Sequence, residues 1–496
     1  MFHLNLNFSD PSQSSYYFPI IIGMTTILLI MNLLIVFLKE NRKQASDPNV
    51  SINVTLEPNV NYSMSLEGKK NYLKTKYLIA YIITRSAMWA KAPYLYTLFM
   101  TVHKFSMSEI SVLYLVDAIA ALIFGPITGQ LADKYGRRFF CNCYNASIII
   151  NLLLRMEGSR TFAYLAQVVT GFGAGLICTT FEAWFVHESG KIFQGYQREL
   201  ERYRKRLFKS TNEYDAYIAI ITSAICAIVY SIMGIYAPFW ISIILSALAW
   251  IFVGFTWEEN KPLSESKDSL IDQFKEAMKE FEKIEVTCIG LIEGIALAIL
   301  NIYLFSWTPI LKSSTPGGMN VGFIFTNMVL TMVVGIKAYE VLIVICNLDK
   351  YISITGCIFL QGVLLLLTYF VNDFFFRMLF LALFNGLTGF YTPLNSFIKS
   401  KILKEKYRAL LMNIFRIPLN TYVIVILLTL RHMNPFTIAL IAGILTFVAF
   451  FIGIFLIIKT SPSEQNDINE TKELKVDIEN DQKPKKYIYT ENEHEE

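Results

Sequence analysis

Charge is scarce in this chain: only 17% of its 496 residues are Asp, Glu, Lys or Arg, against 54% hydrophobic. A soluble domain carries roughly a quarter charged residues, so a water-soluble globule is excluded. Paired cysteines are also lacking. Cys141, Cys143, Cys178, Cys226, Cys288, Cys346 and Cys357 are odd in number, scattered and without a CxxC pair, which suggests neither a disulfide framework nor a zinc site. The five histidines lie far apart, and no HExxH, GxSxG or P-loop spacing occurs. No enzyme, metal or cofactor is expected, and no nucleic-acid partner. Before the first apolar run, 18–37, there is no Lys or Arg, and no small-residue cleavage site follows it. That run is expected to be a retained helix rather than a signal peptide.

The chain does hold long apolar blocks. Runs such as 18–37, 216–236 and 436–458 are long enough to cross about 30 Å of hydrocarbon as helices. In lipid every backbone polar group must be satisfied internally, which selects helices for such runs. Blocks follow at 77–99, 108–131, 139–156, 160–185, 215–236 and 238–256. Six more lie at 286–310, 318–339, 351–371, 374–398, 409–430 and 434–458. The expected organisation is an outer N-terminus (1–17), an extra helix (18–38), a cytosolic linker (39–76), a six-helix bundle (77–257), a cytosolic central loop (258–285), a second six-helix bundle (286–458) and a disordered acidic tail (459–496).

Loop charge sets the orientation. Lys134, Arg137 and Arg138 follow the second core block, Lys191, Arg198, Arg202, Arg204, Lys205, Arg206 and Lys209 the fourth, and Lys399, Lys401, Lys404, Lys406 and Arg408 the tenth. Positive loops face the cytosol, so both halves begin and end there and the N-terminus lies outside. Asn7 is then open to glycosylation, whereas Asn53 and Asn61 are not. In the central loop Leu270, Phe274, Met278 and Phe281 recur at helical spacing, with Glu276–Lys279 and Glu280–Lys283 on the other side. The segment reads as an interfacial amphipathic helix or as a solvated linker.

The two halves repeat. Asp133-Lys134-Tyr135 recurs as Asp349-Lys350-Tyr351, Pro93 recurs as Pro309, and Gly171–Gly175 is answered by Gly386 and Gly389, all at nearly one offset. Parallel repeats of this kind fit a duplicated transporter.

The run Gly129-Gln130-Leu131-Ala132-Asp133-Lys134-Tyr135-Gly136-Arg137-Arg138 resembles the signature loop of the major facilitator superfamily. The resemblance implies an all-α membrane protein of two six-helix bundles, with Gly129, Asp133, Gly136, Arg137 and Arg138 as gating residues. Gly136 suits a tight turn, Asp133 a helix N-terminus, and Arg137 an acid on a neighbouring helix. Ala92-Pro93-Tyr94-Leu95-Tyr96, Phe181-Glu182-Ala183-Trp184, Trp307-Thr308-Pro309 and Phe415-Arg416-Ile417-Pro418 are similar to signatures of the molybdate-anion transporter family. This narrower resemblance spans residues 77–458. It implies uptake of molybdate, a tetrahedral dianion. The plasma membrane is the expected location and a monomer the expected state. The sequence departs from that family at three places: Met88 replaces an acid, Lys91 a glutamine, and Thr170 an arginine.

Ionisable side chains inside spans are costly and point to function. Arg416, beside Pro418, is the first candidate for the anion, because a guanidinium fork suits its oxygens; a salt bridge between helices is the alternative. Lys91 can add a second positive charge or snorkel. Arg85 can bind substrate or pair with Asp117. Tyr94, Tyr96, Trp307 and Tyr391 can line a cavity or belong to the interfacial belt. Glu293, Asp117 and Glu182 are the acids available for proton coupling, Glu182 also fitting a gate partner for Arg137. Arg377 is expected to snorkel. Moving a dianion into a negative interior costs about 4.6 kcal/mol at ~100 mV, from ~2.3 per charge, so coupling to protons or a counter-anion is expected. The rival readings are transport of sulfate, a sugar or an organic anion, and a non-transporting anion sensor.

Overall fold

The computed structural model describes residues 60–193, 196–260, 278–314, 320–403 and 435–460, with parts of 23–38 and the isolated positions Leu411 and Phe415. The described residues are helical throughout, linked by short turns. A short apolar helix, Gly23–Ile35, comes first. The first half then holds α1 (Val60–Lys91), α2 (Met107–Tyr135), α3 (Arg137–Met156), α4 (Arg160–Ile192), α5 (Gln197–Met233) and α6 (Ala237–Thr256). The second half holds α7 (Ile284–Lys312), α8 (Val321–Tyr339), α9 (Lys350–Phe370), α10 (Phe374–Ile402) and α11 (Pro435–Thr460). Ten helices among the described residues are long and apolar enough to cross a membrane. The protein is a multi-pass membrane protein.

Local chemistry sets the helix limits. Ser106 opens α2 with a capping box: its hydroxyl accepts from the Glu109 amide at 3.2 Å, and the Glu109 carboxylate accepts from the Ser106 amide at 2.8 Å. Asp349 and Asp373 cap α9 and α10 in the same sense. Asp349 therefore lies outside its helix, whereas Asp133 lies in the last turn of α2, so the repeated Asp-Lys-Tyr triplet occupies two different local settings. Pro93 breaks the continuation of α1 into a 3-10 turn (Ala92–Tyr94) and a π-helical turn (Leu98–Val102), while Pro309 is accommodated inside α7.

Two boundaries differ from the sequence expectation. Residues 60–76, assigned to a linker, extend α1, and Leu73 and Tyr77 are buried along it. The basic stretch 197–214, assigned to a loop, is the first half of α5. Leu200 and Leu207 lie seven apart on its buried side, and Arg204 Nε donates to Ser189 Oγ at 2.9 Å. Charge density hides a helix from a hydropathy window, although the two-turn leucine spacing marks it. Glu280 and Lys283 pair at 2.7 Å, as their spacing predicts, and Phe281 packs edge-on against Phe415. Residues 261–277, Asn7, Asn53 and the tail beyond Thr460 lie outside the described residues.

In the first half α4 packs on α2 and α3, and α1 on α5 and α6. In the second half α10 packs on α8 and α9, and α11 on α7 and α9. Glycines give close contacts at equivalent places in the two halves. A Cβ on Gly171 would strike Ala120 of α2, and one on Gly389 would strike the Met332 carbonyl of α8. The halves meet through α5 and α8. Ser223 and Thr326 hydroxyls lie 2.9 Å apart, and Asn320 Nδ2 donates to Ser231 Oγ at 2.9 Å.

Candidate functional site

The signature loop is built around one turn. Gly136 has φ +126° and lies against the Glu259 carboxyl group, so a Cβ would meet both backbone strain and that side chain. The carboxylate that faces the α3 N-terminus belongs to Glu259, not to Asp133 as the sequence suggested. It accepts from the amides of Arg138 (2.9 Å) and Phe139 (3.1 Å). Asp133 instead pairs with Arg137 at 2.8 Å, and Arg137 Nη1 donates to the Ala183 carbonyl at 3.1 Å rather than to an acid on a neighbouring helix. Arg138 Nη1 donates to the Trp257 carbonyl at 3.0 Å. These bonds tie α2, α3, α4 and the end of α6 together within the first half. Gly129 lies within α2. Gly136→Val is expected to lower the thermal midpoint of the purified protein by several degrees, a loss of ~1–3 kcal/mol. An unchanged midpoint would remove the turn's structural role.

On α1, Arg85 faces Asp215 of α5, not Asp117. Its Nε donates to Asp215 Oδ1 at 2.5 Å, its Nη2 reaches the other oxygen, and Trp89 Nε1 joins Oδ1 at 2.9 Å. The guanidinium fork is thereby occupied. Glu182 is exposed and makes no ion pair among the described residues. Tyr94 is buried against Tyr230, its ring 5.2 Å away, with its hydroxyl beside Gly322 of α8. Tyr96 is buried with its hydroxyl on Met107 Sδ at 2.8 Å, and Trp307 is buried beside Phe325. Tyr94 thus sits at the seam between the halves, while Trp307 packs within the second half on Phe325, which itself faces Trp89 of α1 across the seam.

The first half also holds a cluster that the sequence brings out only in part. Lys91 and Arg155 are both buried, the arginine 2% exposed. Each lies within electrostatic reach of Asp117 of α2. No ion pair forms among the three. Arg155 Nη2 donates to Gln167 Oε1 and to Thr170 Oγ1 of α4, each at 2.8 Å, while its Nε and Nη1 are buried without a hydrogen-bond partner. Asp117 Oδ1 is buried and unpartnered as well. Buried polar atoms are normally satisfied, so three such atoms converging on one place mark a site built to receive something. The signal that could have found Arg155 is its place in an apolar block, masked by its position in the last turn of α3, where snorkelling is the default.

The second half carries a different arrangement. Glu293 of α7 is buried and pairs with Lys399 of α10 at 2.8 Å. Its other oxygen accepts from Asn395 Nδ2 and, at 3.4 Å, from the Tyr391 hydroxyl. Residues 391, 395 and 399 recur every fourth position and so share one face of α10. Lys399, counted as a loop charge from the sequence, is in fact inside the helix and buried. Tyr391 also borders a cavity of about 40 Å³ lined by Gln361, Thr388 and Thr392, room for a water molecule or so. Arg377 does not snorkel. It is buried and donates to the Val371 carbonyl (2.5 Å) and Asn372 Oδ1 (2.6 Å). Arg416 lies outside the described residues.

Residues 53–377 match the MFS_5 family, described as sugar transporters with 12 transmembrane helices. The molybdate-anion transporter of Danio rerio is 24% identical over 378 residues, covering 69% of this chain and 76% of the relative. That of Takifugu rubripes is 24% identical over 382 residues with the same coverage. Among solved structures, a mutant form of the nucleoside transporter NupG superposes with a TM-score of 0.63 at 13% identity, covering 77% of this chain and 99% of that one. At this identity the likeness speaks for the fold alone.

Proposed function

The chain belongs to the MFS_5 family of membrane transporters, and from that premise we propose that it is a secondary transporter of molybdate, working by alternating access between its two halves. The observation that carries the reading is the excess of buried positive charge in the first half. Lys91 and Arg155 face one acid, and two nitrogens of Arg155 are free to donate. Charge at this depth costs several kcal/mol and is offset when an anion binds. A guanidinium presents a planar fork of donors that matches a tetrahedral oxyanion. The position where the resembled family commonly carries an arginine is Thr170, and here Arg155 reaches its hydroxyl from α3. The charge missing from α4 is supplied by the neighbouring helix.

In this reading the basic end faces the cytosol, the plasma membrane is the site of action, and the protein works as a monomer. The seam at Tyr94, Ser223 and Thr326 closes the outer side. Arg416, by its place in the sequence, supplies a cation from the second half. Arg85 is assigned to holding α1 on α5.

The test is tracer molybdate uptake at nanomolar supply in cells lacking their own transporter. The wild-type chain is expected to restore uptake that excess sulfate does not suppress, and Lys91→Ala and Arg416→Ala at matched surface expression to reduce it. No uptake by well-expressed wild type would overturn the reading. The family description favours a sugar as the second candidate, and competition by a panel of sugars separates the two.

A further inference from the structure

We propose a second anion site, apart from the transport path: a cleft between the polar starts of α1 and α5 that binds a polyphosphorylated inositol, as a lipid headgroup or free in solution.

The cleft holds about 430 Å³, within the roughly 300–1,000 Å³ of small-molecule pockets. One face of each helix lines it. Lys70 and Lys74, four apart, come from α1, and Arg202 and Arg206, four apart, from α5. Arg204, between the two arginines, turns away and donates to Ser189 Oγ and the Val186 carbonyl of α4. None of the four lining cations makes an ion pair among the described residues. Packing brings them together instead. Tyr203 donates its hydroxyl to the Lys70 carbonyl at 2.9 Å, and the Lys70 ammonium lies 4.9 Å from the centre of the Phe193 ring.

The lining chemistry identifies the ligand class. Two guanidinium forks and two ammonium groups suit phosphate monoesters. Glu67 and Glu199 share the cleft. They would repel a bare anion, but carboxylates accept hydrogen bonds from hydroxyls. Phosphates and hydroxyls carried on one compact ring satisfy both sets. A nucleotide fits less well. Phe193 is buried under Lys70 and Tyr203, and Tyr203 packs in turn on Phe193 and Phe185, so no aromatic face is left for a base.

Depth agrees with this class. In the orientation proposed above this end faces the cytosol. Lys74 and Ser210 lie about 5 and 8 Å before the apolar blocks that begin at 77 and 215, at ~1.5 Å per residue. That is headgroup depth, in the leaflet where phosphoinositides reside. Arg202 stands about 20 Å out by the same rise, so the cleft opens to water as well.

The experiment titrates purified full-length protein in phosphatidylcholine nanodiscs with tritiated inositol trisphosphate. Wild type is expected to bind it saturably, without displacement by excess inorganic sulfate. Arg202→Gln with Arg206→Gln, and separately Lys70→Gln with Lys74→Gln, should weaken binding by about tenfold or more. Lys134→Gln with Lys401→Gln removes equal charge from two exposed lysines elsewhere and should change it by less than about twofold. Glu67→Ala with Glu199→Ala adds net positive charge. A plain electrostatic patch would then bind more tightly, whereas a site that reads hydroxyls binds more weakly. Phosphatidylinositol bisphosphate placed in the nanodisc separates the sources: if it displaces the tracer the ligand is a lipid headgroup, and if only free headgroup does, a soluble one. No saturable binding, displacement by sulfate, equal loss in the control pair, or binding by the glutamate pair as tight as wild type would each overturn the proposal. Binding is read without transport, so the result is independent of the substrate carried.

Discussion

Glu293→Ala is expected to destabilise the second half by ~3–5 kcal/mol, the cost of leaving one partner of a buried ion pair alone. The substitution strands three donors at once. Lys399 Nζ loses its 2.8 Å partner, and Asn395 and the Tyr391 hydroxyl lose the oxygen they share. Lys399 is 7% exposed and Glu293 6%, so water has little access to take over. Glu293→Gln keeps an acceptor for Asn395 and Tyr391 but still leaves a charged lysine, and should fall between alanine and wild type. Glu293→Met combined with Lys399→Met removes both charges at similar volume and should recover most of the loss. Thermal unfolding of the purified protein reads all of these, and the non-additivity isolates the pair. A single variant as stable as wild type, or a double variant no better than the single, would sink the account.

That pair shows what sequence reading can and cannot reach. Glu293 stood out as an acid in an apolar block. Lys399 does not, because the tenth apolar block ends at residue 398 and the lysine reads as the first charge of the basic loop after it. One turn of helix changes a loop charge into a buried partner. Arg85 was visible for the same reason as Glu293, yet its partner Asp215 lies 130 residues away at the edge of a block, and only the packing of α1 on α5 selects it over Asp117. The fold was more legible. The apolar blocks recover most helices, since length and polarity are local properties, and the capping box at Ser106–Glu109 marks the α2 boundary directly. The starts of α1 and α5 were missed where lysines and arginines outnumber the apolar residues. At the candidate site, Lys91 and Asp117 were legible one at a time. Their convergence with Arg155 depends on how closely α4 approaches α2 and α3, which its glycines permit but no spacing rule reports.

Arg155→Met is expected to lower molybdate transport by on the order of a hundredfold or more while leaving the protein folded. The two outcomes follow from one fact, the burial of a guanidinium whose Nε and Nη1 are unpartnered. A hydrogen bond to a charged group contributes ~1.5–3 kcal/mol, so losing two from a bound oxyanion weakens the complex by roughly 3–6 kcal/mol. Stability moves the other way or not at all, because methionine fills similar space and removes a poorly compensated buried charge. Lysine at the same position keeps the charge but not the fork, and should be intermediate. Arg85→Met gives the contrast: it strands Asp215 and should show first as lost stability. The most specific arm moves the charge back. Thr170→Arg in the Arg155→Thr background returns a guanidinium to α4 at the position Arg155 now reaches, and should recover part of the uptake that Arg155→Thr loses. Normal uptake by Arg155→Met at matched surface expression would show that the cluster does not hold the substrate. Recovery by the relocated arginine would tie transport to a positive charge at that point in the membrane, whichever helix delivers it.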